Sequence, residues 1–232
     1  MNEIIRKRKS VRKYSEAPLD TQTLEKINTK IKELTPLYPE IKYSIEMTSK
    51  TKGLFNIKSP HYLVFRSETK EGAYENIGFI GQQVDLFLSE NEIGTCWLGA
   101  SKPEDKTSSD GLSSLICMSL GSPAEPVYRD ISQFKRKSLA EMSEGSDPRL
   151  EAARLAPSGM NAQNWYFIAD QGKIHCYRKK INPILGFWLG NMARIDLGIA
   201  LCHIAEESDD FKFSMYSDAP QKSGYIYSGT VG

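Results

Sequence analysis

Ala153-Arg-Leu-Ala-Pro-Ser-Gly-Met-Asn-Ala-Gln-Asn-Trp165 is the stretch on which the reading of this 232-residue chain turns. A helix ending before Pro157 gives way to extended chain, because proline disfavours helical geometry in the preceding residue and has no N–H to donate. Ser158 and Gly159 then form a sharp turn where a flat ligand can approach the backbone. On an extended segment the amides of Asn161 and Gln163, two residues apart, face the same way. Together they offer the donors and acceptors that the edge of a pyrimidine-like ring needs. Trp165 enters an apolar strand and is read as core. An ordinary helix-to-strand connection accounts for Trp165, but not for Ser, Asn and Gln gathered beside a glycine.

Outward from this stretch, helices and strands alternate. Pro148–Leu155 reads as a helix, Trp165–Ala169 and Ile174–Tyr177 as strands, and Asn191–Glu206 as an apolar helix. Phe211–Tyr216 and Tyr225–Ser228 read as short terminal strands. In the first half, Leu24, Ile27, Ile31 and Leu34 predict a helix over Thr23–Leu34 with Asp20 or Thr21 as cap. Tyr43–Met47 and His61–Phe65 read as strands around a loop at Gly53. Glu75–Glu90 carries Ile77, Ile80, Val84, Phe87 and Leu88 on one helical face. Thr95–Leu98 and Leu115–Leu120 are short apolar extended pieces. The class is α+β with no long linker.

Composition narrows the function. Thirty Lys+Arg face 29 Asp+Glu, a net charge of +1, which lacks the excess of a general nucleic-acid binder. No run approaches the roughly 20 apolar residues of a membrane span, and no signal-peptide core follows the basic start. The expected compartment is the cytoplasm. Cys96, Cys117, Cys176 and Cys202 form no C-x-x-C pair, and the three histidines are scattered, so neither a disulfide framework nor a metal site is expected.

Two further segments could carry chemistry. In Arg6-Lys-Arg-Lys-Ser-Val-Arg-Lys-Tyr14, six of the eight residues from Arg6 to Lys13 are basic. Arg8, Ser10 and Arg12 point one way on extended chain, and Arg8 and Arg12 share a face on a helix. Two guanidinium forks and a hydroxyl can then converge on a phosphate monoester; a solvated basic terminus is the alternative. In Ile93-Gly-Thr-Cys-Trp-Leu-Gly99, flanking glycines allow a planar cofactor close to the backbone. Cys96 reads as a small buried residue, since no base accompanies it in sequence.

Together these segments resemble the nitroreductase family of FMN-dependent oxidoreductases. Arg8-Lys-Ser-Val-Arg12 is similar to its opening R-x-S-x-R, and Ala156-Pro-Ser-Gly-Met-Asn-Ala-Gln-Asn-Trp165 to its A-P-S-x-x-N-x-Q-P-W, with Asn164 where proline is usual. Gly94-Thr-Cys-Trp-Leu-Gly99 and Leu120-Gly-Ser-Pro123 resemble its G-T-x-W-x-G and L-G-x-P segments. The order differs from the usual one. The A-P-S motif follows the arginines by about 145 residues, an arrangement similar to the divergent Thermotoga-type branch.

The resemblance implies a mixed, largely antiparallel sheet flanked by helices, and a set of roles. Arg8, Lys9 and Ser10 are expected at the FMN phosphate and ribityl chain, with Arg12 near flavin N1 and O2. Arg136, with Lys135, is expected at the phosphate. Pro157, Ser158, Gly159, Asn161 and Gln163 are expected at the ring system. Thr95, Cys96, Trp97, Leu98 and Gly99 are expected along its other side. No protein group is assigned as catalytic, because the flavin performs the hydride chemistry. NAD(P)H is the implied transient reductant, and a nitroaromatic or quinone the implied acceptor. No G-x-G-x-x-G follows a strand to suggest a separate nicotinamide domain.

Lys7-Arg-Lys-Ser10 recurs as Lys135-Arg-Lys-Ser138, 128 residues on. That repeat suggests two fused halves, 1–137 and a shortened 138–232, making a single-chain pseudo-dimer, with a homodimer as the other possibility. The first half would keep the arginines and the second the A-P-S motif. Competing readings are a flavin-binding protein without turnover, another family chemistry such as dehalogenation, and an RNA- or partner-binding module led by the basic start.

Overall fold

The computed structural model describes residues 2–53, 57–104, 111–181 and 187–232. The chain forms α1 (Glu3–Lys7), α2 (Thr21–Lys32), β1 (Tyr43–Thr48), β2 (Thr51–Gly53), β3 (His61–Ser67), α3 (Ala73–Glu90), β4 (Gly94–Leu98), β5 (Ser101–Pro103) and β6 (Ser113–Gly121). There follow α4 (Leu139–Met142), β7 (Ser143–Glu144), α5 (Leu150–Leu155), β8 (Trp165–Asp170), β9 (Lys173–Lys179), α6 (Phe187–Ala205), β10 (Phe213–Ser214) and β11 (Tyr225–Val231).

The helix and strand expectations hold in kind and shift at their ends. Asp20 is the cap of α2, its carboxylate accepting the Thr23 N–H at 2.9 Å. That helix stops at Lys32, short of the expected Leu34. Thr51–Gly53 is a strand paired with Ser101–Pro103 rather than loop. The expected strand over Phe211–Tyr216 contracts to Phe213–Ser214, which pairs only with Val231 and Thr230. Helices α1 and α4 are too short for periodicity to signal.

Two sheets stand on either side of a central helix pair. The first is antiparallel in the order β1-β3-β6-β4, and the second runs β10-β11-β9-β8-β7, with only β7 and β8 parallel. Setting β7 aside, both sheets have one plan: two strands, a long helix, then two more strands that join the sheet in reverse order. Phe65, Ile80 and Leu120 from one side and Phe167, Leu201 and Val231 from the other belong to one hydrophobic core.

The long helices meet at glycine. A Cβ on Gly78 of α3 would lie 2.1 Å from Ile195 O, and one on Gly198 of α6 would lie 2.0 Å from Glu75 O. These contacts are reciprocal, since 78 and 198 are separated by the same interval as 75 and 195. The sequence around them repeats too: Ala73-x-x-Asn76-Ile-Gly78 and Ala193-x-x-Asp196-Leu-Gly198 lie 120 residues apart. This repeat spans the crossing point of the two helices.

Candidate functional site

The N-terminal basic stretch and the 156–165 turn meet in one crevice. It has two connected parts: a slot of about 300 Å³ and an open bowl of about 730 Å³. Ser10, Arg12, Pro157, Ser158 and Met160 line both and form the neck between them. Val11 draws the basic stretch into place. It is fully buried, and its N–H donates to Thr95 O at 2.8 Å, seating the segment against β4.

The slot is mainly apolar. Cys96, Trp97, Leu98 and Gly99 form one wall, and Met192, Ile195 and Ile199 of α6 form another. Gly159 also lines it. Trp97 is held in register by its ring stacked on Phe65 at 5.4 Å and by Nε1 donating to Gln82 Oε1 at 3.3 Å. Burial pushes the Cys96 thiol pKa up, against the pull of Arg12 and Arg8, so it has little thiolate character. Trp165 is core, 1% exposed, as expected.

The bowl is basic. Arg8, Lys9, Lys135, Arg136 and Asn161 line it, with Arg129, which sequence reasoning missed. Glu125 is the acid on its wall, accepting the Arg12 N–H at 2.6 Å and lying 3.7 Å from Lys9 Nζ. The Nε atoms of Arg129 and Arg136 are buried without a hydrogen-bond partner. Burial, with repulsion from Arg8 and Arg12, lowers the Arg129 guanidinium pKa to about 10, and burial, with repulsion from Arg129, Arg8 and Arg154, lowers that of Arg136 to about 9. Buried donors left unpaired beside like charges call for an anion. Nothing around Tyr128-Arg-Asp130 in sequence marks Arg129; the fold alone brings it to the bowl.

Arg8 differs from its expected form. It is 1% exposed rather than an open fork, with Nε 2.9 Å from Asp85 Oδ2 in an ion pair whose N–H is not directed along the bond. Its Nη2 reaches Ser10 Oγ at 3.4 Å. Asp85 also accepts from Thr95 Oγ1 and, at 2.9 Å, from Gln82 Nε2. Gln82 Nε2 faces His203 Nε2 at 3.1 Å, and His203 Nδ1 lies 2.9 Å from Ala152 O. The tautomer with the proton on Nδ1 satisfies both contacts. Burial lowers this histidine's pKa to about 3, so the ring is neutral. A buried polar chain thus runs from the bowl floor across α3 to α6.

Two expected site residues line neither cavity. Thr95 is 1% exposed and turned inward to Asp85. Gln163 is also buried; its Oε1 accepts the Lys137 N–H at 2.7 Å and its Nε2 donates to Asn161 O at 3.0 Å. Asn161 accepts from Arg136 Nη1 and donates to Lys135 O. The amides therefore tie the turn to 135–137 instead of presenting a common edge. Asn161 and Gln163 take φ of +56° and +49°, with Met160 at +52°, so the segment is not extended.

A second turn packs on α3 through a bond of the same kind as the one at the slot. Gly159 N–H donates to Asp196 Oδ1 at 2.9 Å, while Tyr38 N–H donates to Asn76 Oδ1 at 3.0 Å. Thr35-Pro36-Leu37-Tyr38 thus meets α3 through Asn76 as Ala156-Pro157-Ser158-Gly159 meets α6 through Asp196. On that side Tyr38 meets Phe213 edge-on at 5.9 Å, and Phe79, the counterpart of Ile199, stacks on Phe211 at 5.4 Å.

Comparison with known proteins agrees with this architecture. The model of the family described as "Putative TM nitroreductase" matches residues 1–208. A crystal structure of a "putative nitroreductase" from Thermotoga maritima is 21% identical, with a TM-score of 0.67 over 99% of this chain and 90% of that one. A nitroreductase family protein from Clostridium difficile 630 is 14% identical over 61% of this chain and 96% of its own, with a TM-score of 0.49. An FMN-dependent nitroreductase from Clostridium difficile R20291 is 18% identical over 60% and 98%, with a TM-score of 0.45. No curated protein matches. The mixed helix and antiparallel-sheet architecture is the nitroreductase fold. The chain belongs to the family described as "Putative TM nitroreductase", and so to the oxidoreductases. Among the described residues no helix is long and apolar enough to cross a membrane.

Proposed function

We propose that the crevice binds one FMN and that the protein passes electrons from NAD(P)H to a small acceptor such as a nitroaromatic or quinone. The observation that carries this reading is the join between an apolar slot and a bowl with two unpaired, buried guanidinium nitrogens. FMN has that division: a flat ring system and a phosphate dianion. Arg129 and Arg136 would hold the phosphate, with Arg8 and Lys9 adding charge beneath and beside it. Arg12, at the neck, is placed to favour negative charge on the ring's polar edge. Trp97 and Met192 on opposite walls would exclude water and keep the ring flat in the slot. When bound, FMN supplies the hydride chemistry.

The matched strand order, the reciprocal glycine contacts and the matching turns on α3 and α6 support a single-chain pseudo-dimer with one flavin per chain. Its two halves would still share one core.

The first test is the visible spectrum of the purified protein, with the cofactor identified after release, followed by anaerobic addition of NADH or NADPH. Flavin absorbance that bleaches with either nucleotide is the expected result; colourless protein that takes up no FMN would end the proposal. Arg12→Ala should weaken FMN binding by about 1.5–3 kcal/mol, the range for a hydrogen bond to a charged group. Lys26→Ala, exposed on α2, should leave it unchanged. Equal affinity in the two variants would remove Arg12 from the site.

A further inference from the structure

Asp196 and Asn76 occupy matching positions on α6 and α3 and share one bond, each accepting a backbone N–H from the turn packed on its helix, while Asn76 Nδ2 also donates weakly to Tyr38 O at 3.4 Å. An amide oxygen serves that bond as well as a carboxyl oxygen does. The carboxyl is the less favourable group to bury: Asp196 is 2% exposed, and among the described residues its one hydrogen bond is from Gly159. The acid appears only on the side that has a cavity, where Asp196 lines the slot. It therefore contributes something there that the bond to the turn does not require.

We propose that Asp196 is a positioning residue that keeps a proton at the slot floor and so couples the seating of a ring system on the 157–159 turn to pH. This rests on the flavin reading above. Burial raises the Asp196 pKa to about 8, with the Gly159 N–H pulling the other way. The other ionisable groups on the slot wall are Arg12 and Cys96. From α3, Glu75 is paired with Arg194 of α6 at 2.8 Å, and Glu71, just before α3, pairs with the same arginine. His203, further along α6, is neutral. From β9, Arg178 has its pKa lowered by burial and by Arg194. From α5, Arg154 is paired with Glu151. None of these bonds to Asp196.

The sign of the effect follows from burial. A flat ring in the slot removes the water nearest the carboxyl, so the complex holds the proton more tightly than the free protein does. FMN affinity then falls as pH rises through about 8. Without ligand, the folded-state pKa lies above the unfolded value. The stabilising contribution is complete below the unfolded pKa and is lost progressively as pH rises toward about 8.

Asp196→Asn, which adopts the residue of the matching position, keeps the acceptor and cannot ionise. Between pH 7 and 9 the FMN Kd of the wild type should rise relative to the variant by roughly two- to fivefold, the part of a half- to one-unit pKa change expressed by that pH. In thermal unfolding of the ligand-free proteins, the variant should gain Tm on the wild type from pH 5 to 8, with no further gain above. Asp196→Ala, which lacks the acceptor, should bind FMN more weakly than either across the range. Parallel Kd–pH profiles with FMN bound to both proteins would overturn the inference and leave the flavin reading intact. A Tm difference independent of pH would also overturn it. Failure of FMN to bind the wild type at any pH would remove the flavin reading and this inference with it.

Discussion

Gly198→Ala should destabilise the fold by about 3 kcal/mol, the upper end of the usual cost of overpacking. The added methyl would lie 2.0 Å from Glu75 O, 2.8 Å from Glu75 C and 2.9 Å from Phe79 N. All three are backbone atoms of a helix, so no side chain can swing aside. Relief requires α3 and α6 to separate along the seam where Ile77, Ile80, Leu197 and Leu201 are fully buried. The shift would also pull Glu75 from Arg194. For a chain of this size the loss is a fall in Tm of about 6–12 °C. Gly78→Ala, which meets Ile195 O at 2.1 Å, should behave alike. Gly190→Ala is the control: it lies on α6 with no heavy atom near its missing Cβ, and helix propensity should make it neutral or stabilising by up to about 1 kcal/mol. Thermal unfolding of the three variants measures this. A Gly198→Ala protein as stable as the Gly190→Ala one would mean the helices do not cross at these glycines.

Arg136→Ala should weaken FMN binding by about 3 kcal/mol, on the order of a hundredfold in Kd. Its guanidinium has a buried, unpaired Nε in the bowl, and its Nη1 fixes the Asn161 side chain. Removing it takes away a charged donor and one tie of the turn that forms the neck. Arg136→Lys should recover part of the affinity, since the charge returns without the fork. Isothermal titration of the flavin-free proteins with FMN makes the comparison. If alanine, lysine and wild type bind alike, the phosphate is not held in the bowl. Arg8→Ala is a poorer test, because it would leave Asp85 buried without its cation, a change that by itself costs about 3–5 kcal/mol of folding stability.

Much of the fold was readable from local pattern. Ile77, Ile80, Val84 and Leu88 mark α3 because helical spacing places them on one face. Asp20 marks the start of α2 because a short acceptor satisfies an otherwise unpaired N–H. Pro157 marks the end of α5 through its effect on the residue before it. Chain distance hid other features. The partner of Arg8 is Asp85, 77 positions away, and the partner of Gln163 is Lys137. The extended geometry assumed for 161–163 failed because the left-handed residues there are held by contacts with 135–137 as well as by bonds within the turn to Ser158.

By itself the sequence determined the kinds of elements, their approximate limits and the motif residues around the crevice, because propensity, periodicity and proline geometry act over a few residues. Only the tertiary structure decided which cations are open to an anion. It pairs Arg8 with an acid and leaves Arg129 and Arg136 with unpaired nitrogens. It also set Asp196 against a cavity and Asn76 against Tyr38. Burial and partnership belong to the packed chain, and they are what separate a charged side chain that holds the fold from one available to a ligand.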